Sequence, residues 1–189
     1  MTDDAAADAR TADPDALVEV VNAHGHENVT AEHVSTLEFT SDDYLTPAGD
    51  CILAVEADRV PADFDPEFVA ACQSHEAMIA ATIEAAGHTH EVVGRGHPDL
   101  SFENERSHVV RTSDYVDDRT VMVGASGAAA DVDRDLVFEV RRTSTPSSPR
   151  GSRLSPGYIP ASLRYRLHIL IRTPQRWLSN VLPRYRGPQ

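Results

Sequence analysis

Gly25-His26-Glu27-Asn28-Val29-Thr30 returns later in the chain as Gly96-His97-Pro98-Asp99-Leu100-Ser101. Asp43-Tyr44-Leu45 returns as Asp114-Tyr115-Val116 at the same spacing, which also sets Glu32 on Glu103. After a short deletion the register resumes, with Val55-Glu56-Ala57 against Val123-Gly124-Ala125 or one step along. An echo held at one offset over about thirty residues is the mark of a tandem duplication, in which neither unit buries its apolar face alone. The expected fold is therefore α+β, internally duplicated as roughly β-β-β-α twice, with pseudo-two-fold symmetry and mostly antiparallel strands. Repeat 1 is placed at about 17–75 and repeat 2 at about 76–142, within one domain over 16–142.

Working outward, Leu17 to Val21 reads as a first strand, and Glu32 to Thr40 alternates with Leu37 and Phe39 on one face. Cys51 to Val55 is a short apolar run of β character. Asp65-Pro66-Glu67 opens a helix, with an N-cap Asp, Pro at the first helical position and an acid in the first turn. Met78 to Ala86 fits either a continued helix or a strand. We expect the helix to stop near Ser74 and a hairpin to turn near Gly87. Strands near Arg106–Thr112 and Thr120–Val123 follow, then a helix from about Asp131 to Arg142 carrying Val132, Leu136, Val137 and Val140 as its apolar stripe.

Charge divides the chain. All 17 basic residues are Arg, against 30 acids. Residues 1–142 carry every acid and 9 Arg, a net of −21, whereas residues 143–189 carry 8 Arg and no acid. A body so acidic repels nucleic acid and anionic membrane at ordinary salt. It suits a salt-loaded cytosol, where screening shortens self-repulsion to a few ångströms; a dedicated cation- or protein-binding surface is the alternative. Residues 1–15 read as a disordered acidic arm. Met1-Thr2-Asp3-Asp4 has no secretory character, no stretch has transmembrane length, and Cys51 and Cys72 form no CxxC motif, so the expectation is a cytoplasmic protein with reduced thiols.

The phrases Gly25-His26-x-Asn28 with His33, Leu45-Thr46-x-x-Gly49-Asp50-Cys51-Ile52 and Ala57-Asp58-Arg59 together resemble the archaeal "domain of unknown function 371" family. Gly96-His97-Pro98-x-Leu100, Ser113-Asp114-Tyr115 and Arg119-Thr120 resemble its other half. The likeness runs from about Val18 to Arg142. It implies an archaeal cytosolic protein and brings no activity, cofactor or partner with it. One departure is that Ala57-Asp58-Arg59 meets Ala125-Ser126-Gly127, so a charge role there belongs to the first half alone.

The tail, 143–189, lies outside that likeness. It starts as a Ser/Pro/Arg linker, then alternates Leu163, Tyr165, Leu167, Ile169 and Ile171 with Arg164, Arg166 and His168 in a strand-like pattern. It is either a disordered basic appendage suited to membrane or nucleic acid, or the product of a shifted reading frame.

His26 and His97 are the leading candidates for chemistry, because an imidazole can ligate metal, accept a proton or orient a neighbour, and each follows a Gly that permits close approach. Equally, each ring could tie its own turn to the backbone. The candidate ligand-binding set is His26, Asn28, His33, His97, Asp50, Asp58 and Arg119. His33 falls on Asn104, which makes such a site asymmetric, and Asp50 could face Arg119 as an ion pair. His24 with His26, and His88 with His90, are weak metal candidates, since a strand puts both rings of a His-x-His on one face. Neither shows a third ligand at characteristic spacing, so no dedicated metal is expected. Asp43 and Asp114 are either paired carboxylates or turn caps with the tyrosines packed beneath. Cys51 reads as core rather than nucleophile.

No phosphate-binding glycine loop, dinucleotide fingerprint or HExxH appears. The leading expectation is a non-catalytic soluble binding protein for a small ligand or partner at the Gly-His turns. The alternative is an enzyme acting on a small polar metabolite, with His26 or His33 as base and Asp50 or Asp58 orienting it. A third reading is nucleic-acid or membrane contact through the tail. No pattern names a cofactor or partner, and a homodimer stays open.

Overall fold

A computed structural model describes residues 17–142 and the backbone of residues 162–170. The strands are β1 (Leu17–His24), β2 (Thr36–Thr40), β3 (Ile52–Ala54), β4 (Met78–Ala85), β5 (His88–Arg95), β6 (Ser107–Arg111), β7 (Thr120–Met122) and β8 (Ser162–Leu170). Two helices, α1 (Pro66–Cys72) and α2 (Arg134–Arg142), each follow a short 3₁₀ turn, at Pro61–Asp63 and Ala129–Asp131. The α+β expectation holds.

Local chemistry sets the element ends. Asp65 caps α1, its carboxylate accepting the Glu67 N–H at 2.7 Å, with Pro66 next in line. Asp133 does the same for α2, accepting the N–H groups of Asp135 and Leu136. Met78–Ala85 is a strand, because its inward positions Ile79, Ala81, Ile83 and Ala85 are buried at period two. Ala86 and Gly87, at φ 49° and 87°, make the tight turn into β5. The second half thus holds four strands where the repeat suggested three.

The strands form two four-stranded sheets, ordered β1-β8-β4-β5 and β3-β2-β6-β7. The first is antiparallel throughout. In the second, β2 and β6 pair antiparallel at the centre while β3 and β7 join parallel outside them. Single bridges His24↔Val55 and Arg95↔Val123 stitch the sheets together at both edges, so the strands run as a ring. Phe39, Leu53, Phe68, Ile79, Ile83, Leu100, Met122 and Leu136 fill the centre, fully buried.

The domain does not close at Arg142. Residues 162–170 of the tail pair along their length with both β1 and β4, and the alternation seen in the sequence there becomes a central strand. Expectations for residues 1–15 and for the rest of the tail lie outside the described residues.

Each helix packs on the other half's Gly-His turn. A Cβ on Gly25 would stand 1.8 Å from the Val140 carbonyl oxygen at the end of α2. One on Gly96 would stand 2.1 Å from the Cys72 carbonyl oxygen at the end of α1. The 3₁₀ turns cross over likewise, Ala62 N–H donating to the Asn104 carbonyl and Ala130 N–H to that of His33.

Two outcomes test this packing. Gly25→Ala and Gly96→Ala are each expected to cost about 3 kcal/mol in chemical denaturation, since backbone on both sides must move. A chain stopped at Arg142 is expected to lose cooperative unfolding, because β1 and β4 then keep open edges inside the first sheet; a truncated chain as stable as the full one would remove β8 from the fold.

Candidate functional site

The two Gly-His turns have the same internal chemistry. His26 Nδ1 accepts the Asn28 N–H at 3.1 Å, and His97 Nδ1 accepts the Asp99 N–H at 3.2 Å. The His26 carbonyl accepts from Val29 and that of His97 from Leu100. A ring whose Nδ1 accepts carries its neutral-form proton on Nε2, so these imidazoles hold their turns as an Asx side chain would. Asn28 spans outward, its amide donating to the Leu45 carbonyl at 2.8 Å. His97 also meets the ring of His75 edge-on, 4.7 Å between centroids.

His33 does not make the site asymmetric. Its Nδ1 accepts the Thr36 N–H at 3.1 Å and the Ser35 N–H at 3.4 Å, with the Thr36 hydroxyl at 2.7 Å. Asn104 Oδ1 accepts the Arg106 and Ser107 N–H groups in the same way. Imidazole and amide are interchangeable here as acceptors for two backbone donors.

The other candidates are also tied to the backbone or paired elsewhere. Asp50 receives the Glu32 and His33 N–H groups on its main-chain carbonyl. Asp58 clasps the N–H and amide of Asn22, both at 2.8 Å, and Ser126 Oγ accepts the Val93 N–H in the second half. Arg119 pairs with Asp117 at 3.0 Å rather than with Asp50. Tyr44 and Tyr115 are exposed, not packed beneath their turns; the Arg111 guanidinium lies over Tyr115, 4.9 Å from the ring centroid. Cys51 is half-buried with its thiol towards Glu38, and burial foremost, then Glu38, pushes its pKa up to about 11, which leaves it a poor nucleophile. His24 exchanges both backbone hydrogen bonds with Val55.

Two charged clusters went unread in the sequence. Glu19, buried in β1, pairs with Arg59 and accepts the Asp65 N–H on its other oxygen at 2.6 Å. Arg59 lies 5.5 Å from the Phe64 ring centroid and donates to the Asp63 carbonyl, while its own carbonyl accepts from His108 Nε2 at 2.8 Å. An acid between Leu17 and Val21 on the inward face of an apolar strand was the available signal. In the second cluster Asp117 receives Arg111, Arg119 and the Thr120 hydroxyl. Burial alone would raise its pKa, yet those donors outweigh it and hold the carboxyl at about 2.

Beside the first Gly-His turn lies an open groove of about 570 Å³, lined by Glu27, Arg134, Val137, Phe138, Arg141 and Arg142. Phe138 is 61% exposed there. Arg134 is fixed at its mouth, donating to the carbonyls of Thr30 and Ala31. His88 and His90 point from β5 towards the start of α2, where Asp133 and Asp135 stand. Among the described residues no helix is long and apolar enough to cross a membrane.

The class defined so far is an α+β domain with one antiparallel and one mixed sheet, two helices each packed on a Gly-His turn, and internal hydrogen bonds within those turns. A family model described as "Domain of unknown function (DUF371)" matches residues 21–147. The chain belongs to that family. It is 38% identical over 122 residues to "Uncharacterized protein MJ0206" of the archaeon Methanocaldococcus jannaschii, an alignment covering 65% of this chain and 90% of the relative.

His108 supplies a test of the buried network. Burial is the main cause that lowers its pKa from 6.5 to about 4; the Arg59 carbonyl opposes this. A depressed histidine stabilises the fold fully above its unfolded pKa, and that contribution falls away as pH drops from about 6.5 towards 4. An NMR titration of the ring is expected to show a midpoint near 4, with stability declining over the same window. A midpoint near 6.5 would mean that the ring is open to water.

Proposed function

We propose that this is a non-catalytic, soluble cytoplasmic binding protein, and that it takes a small ligand with an anionic group and an apolar part. The seat is the groove between the first Gly-His turn and α2. One observation carries the reading: on a body of net charge −21, three arginines and an exposed phenylalanine gather on one helix face beside the turn. An anionic group is attracted there by the positive charge of Arg134 and Arg141, with Arg142 shared with Glu139, while Phe138 offers apolar surface. His26 and Asn28 act by holding the turn that forms the groove's far wall, and His97 holds its counterpart. Acid chemistry and a Lys-free composition fit a cytosol loaded with salt, a haloarchaeal setting.

The enzyme reading has less support. His26 and His33 give Nδ1 to backbone amides, and Asp58 gives both oxygens to Asn22. The nucleic-acid and membrane reading rests on tail residues that lie mostly outside the described ones.

We also propose that the domain descends from a duplicated unit with approximate two-fold symmetry. Ala31 and Phe102 share positive φ, as do Glu56 and Gly124, and the turn, cap and bridge contacts recur in pairs. On this reading β8 supplies to the first copy the strand that β4 supplies to the second.

Native mass spectrometry of the untagged chain, purified in high salt from its own host, tests the binding reading. A retained small molecule is expected, and Phe138→Asp is expected to release it while changing stability by no more than about 0.5 kcal/mol. A clean apo mass for the unaltered chain, or a ligand kept by Phe138→Asp, would refute the groove as its seat.

A further inference from the structure

The two halves fasten strand to helix differently. In the first, the Glu19 carboxylate on β1 accepts the N–H of Asp65, the cap of α1, on one oxygen and pairs with Arg59 on the other. In the second, the sequence register puts His90 where Glu19 stands, Asp133 where Asp65 stands and Gly127 where Arg59 stands. The positive centre is missing while the ligating groups have multiplied. His88 and His90 lie on one face of β5, and Asp131, Asp133 and Asp135 surround the start of α2.

The donor atoms of His88, Asp133 and Asp135 all lie within 4.8 Å of one another. Among the described residues the His88 ring forms no ion pair or hydrogen bond with either carboxylate. Ligand atoms about a shared divalent ion stand roughly 3–4.3 Å apart when bonds run near 2.1 Å. The three groups thus lie near enough for small side-chain rotations to bring them to the spacing that an ion between them would impose. They come from two separate elements, so their convergence is a tertiary feature and not a local turn. Asp133 spends one oxygen, Oδ1, on the Asp135 and Leu136 N–H groups, which orients its other oxygen. The positive end of α2 opposes a cation, but two carboxylates outweigh a half-charge of dipole.

We propose that His88, Asp133 and Asp135 bind a divalent transition-metal ion such as Zn²⁺, with His90 and Asp131 beside them. One imidazole and two carboxylates favour a borderline ion over Mg²⁺, which prefers oxygen and keeps its waters. The ion joins β5 to the start of α2, as Glu19 joins β1 to the Asp65 cap of α1. It leaves coordination positions for water, as a three-ligand site does.

Calorimetric titration of the full, untagged chain with Zn²⁺ tests this, after chelator treatment and in molar KCl with excess Mg²⁺. Those conditions suppress diffuse binding to the acidic surface. One Zn²⁺ per chain is expected, with a rise in Tm on binding. His88→Ala and Asp135→Asn should each weaken binding about tenfold or more, as should Asp133→Asn, which retains a helix cap and so keeps the fold. His75→Ala, in the other histidine pair, should leave binding unchanged. Absence of a stoichiometric site, a site indifferent to these three variants, or one lost with His75→Ala would each overturn the proposal.

Discussion

The whole arrangement depends on two close approaches, Gly25 against the end of α2 and Gly96 against the end of α1. At these distances any side chain would collide with main-chain oxygen, so the helices seat only on a bare backbone. Each half's helix closes the other half's turn, and the 3₁₀ turns repeat the exchange through Ala62 and Ala130. Neither half is complete without its partner. The groove exists because α2 is held against the first turn, and the His88 cluster because the start of that same helix faces β5.

That constraint gives the histidines of the two turns a structural task, each Nδ1 accepting a backbone N–H. A turn pressed under a helix end must satisfy its own N–H groups internally, since water is excluded from one side. His26 and His97 do this with Nδ1, and His33 and Asn104 do the same a few residues later. The two turns pose the same hydrogen-bonding problem and meet it with the same ring atom.

Much of the fold was legible. Alternation in Thr36–Thr40 and the Asp65-Pro66 start signal were local facts, and the helix of Arg134–Arg142 showed its apolar stripe openly. Met78–Ala85 was ambiguous because a strand with one buried face and small residues also satisfies a helix-length apolar count. The second-half strand count failed for that reason. β8 was visible as an alternating segment, yet no local signal says which sheet a strand will enter. The site was the least legible part. Val137 and Phe138 sit side by side in sequence, but only the packing of α2 decides that one is buried and the other open. The convergence of His88 with Asp133 spans two elements and needs the tertiary fold to appear.

The place of β8 has a consequence for how the chain reaches its native state. Among the described strands β8, one of the first sheet's two interior strands, is the last synthesised, and its two neighbours, β1 and β4, come from opposite parts of the sequence before it. Until residues 162–170 leave the ribosome, β1 and β4 cannot be bridged and the ring stays open. Closure is therefore a late event of high contact order, and the nascent chain must keep two strand edges from pairing with neighbours until β8 emerges. A strongly anionic chain, repelling its own copies, is well suited to that wait.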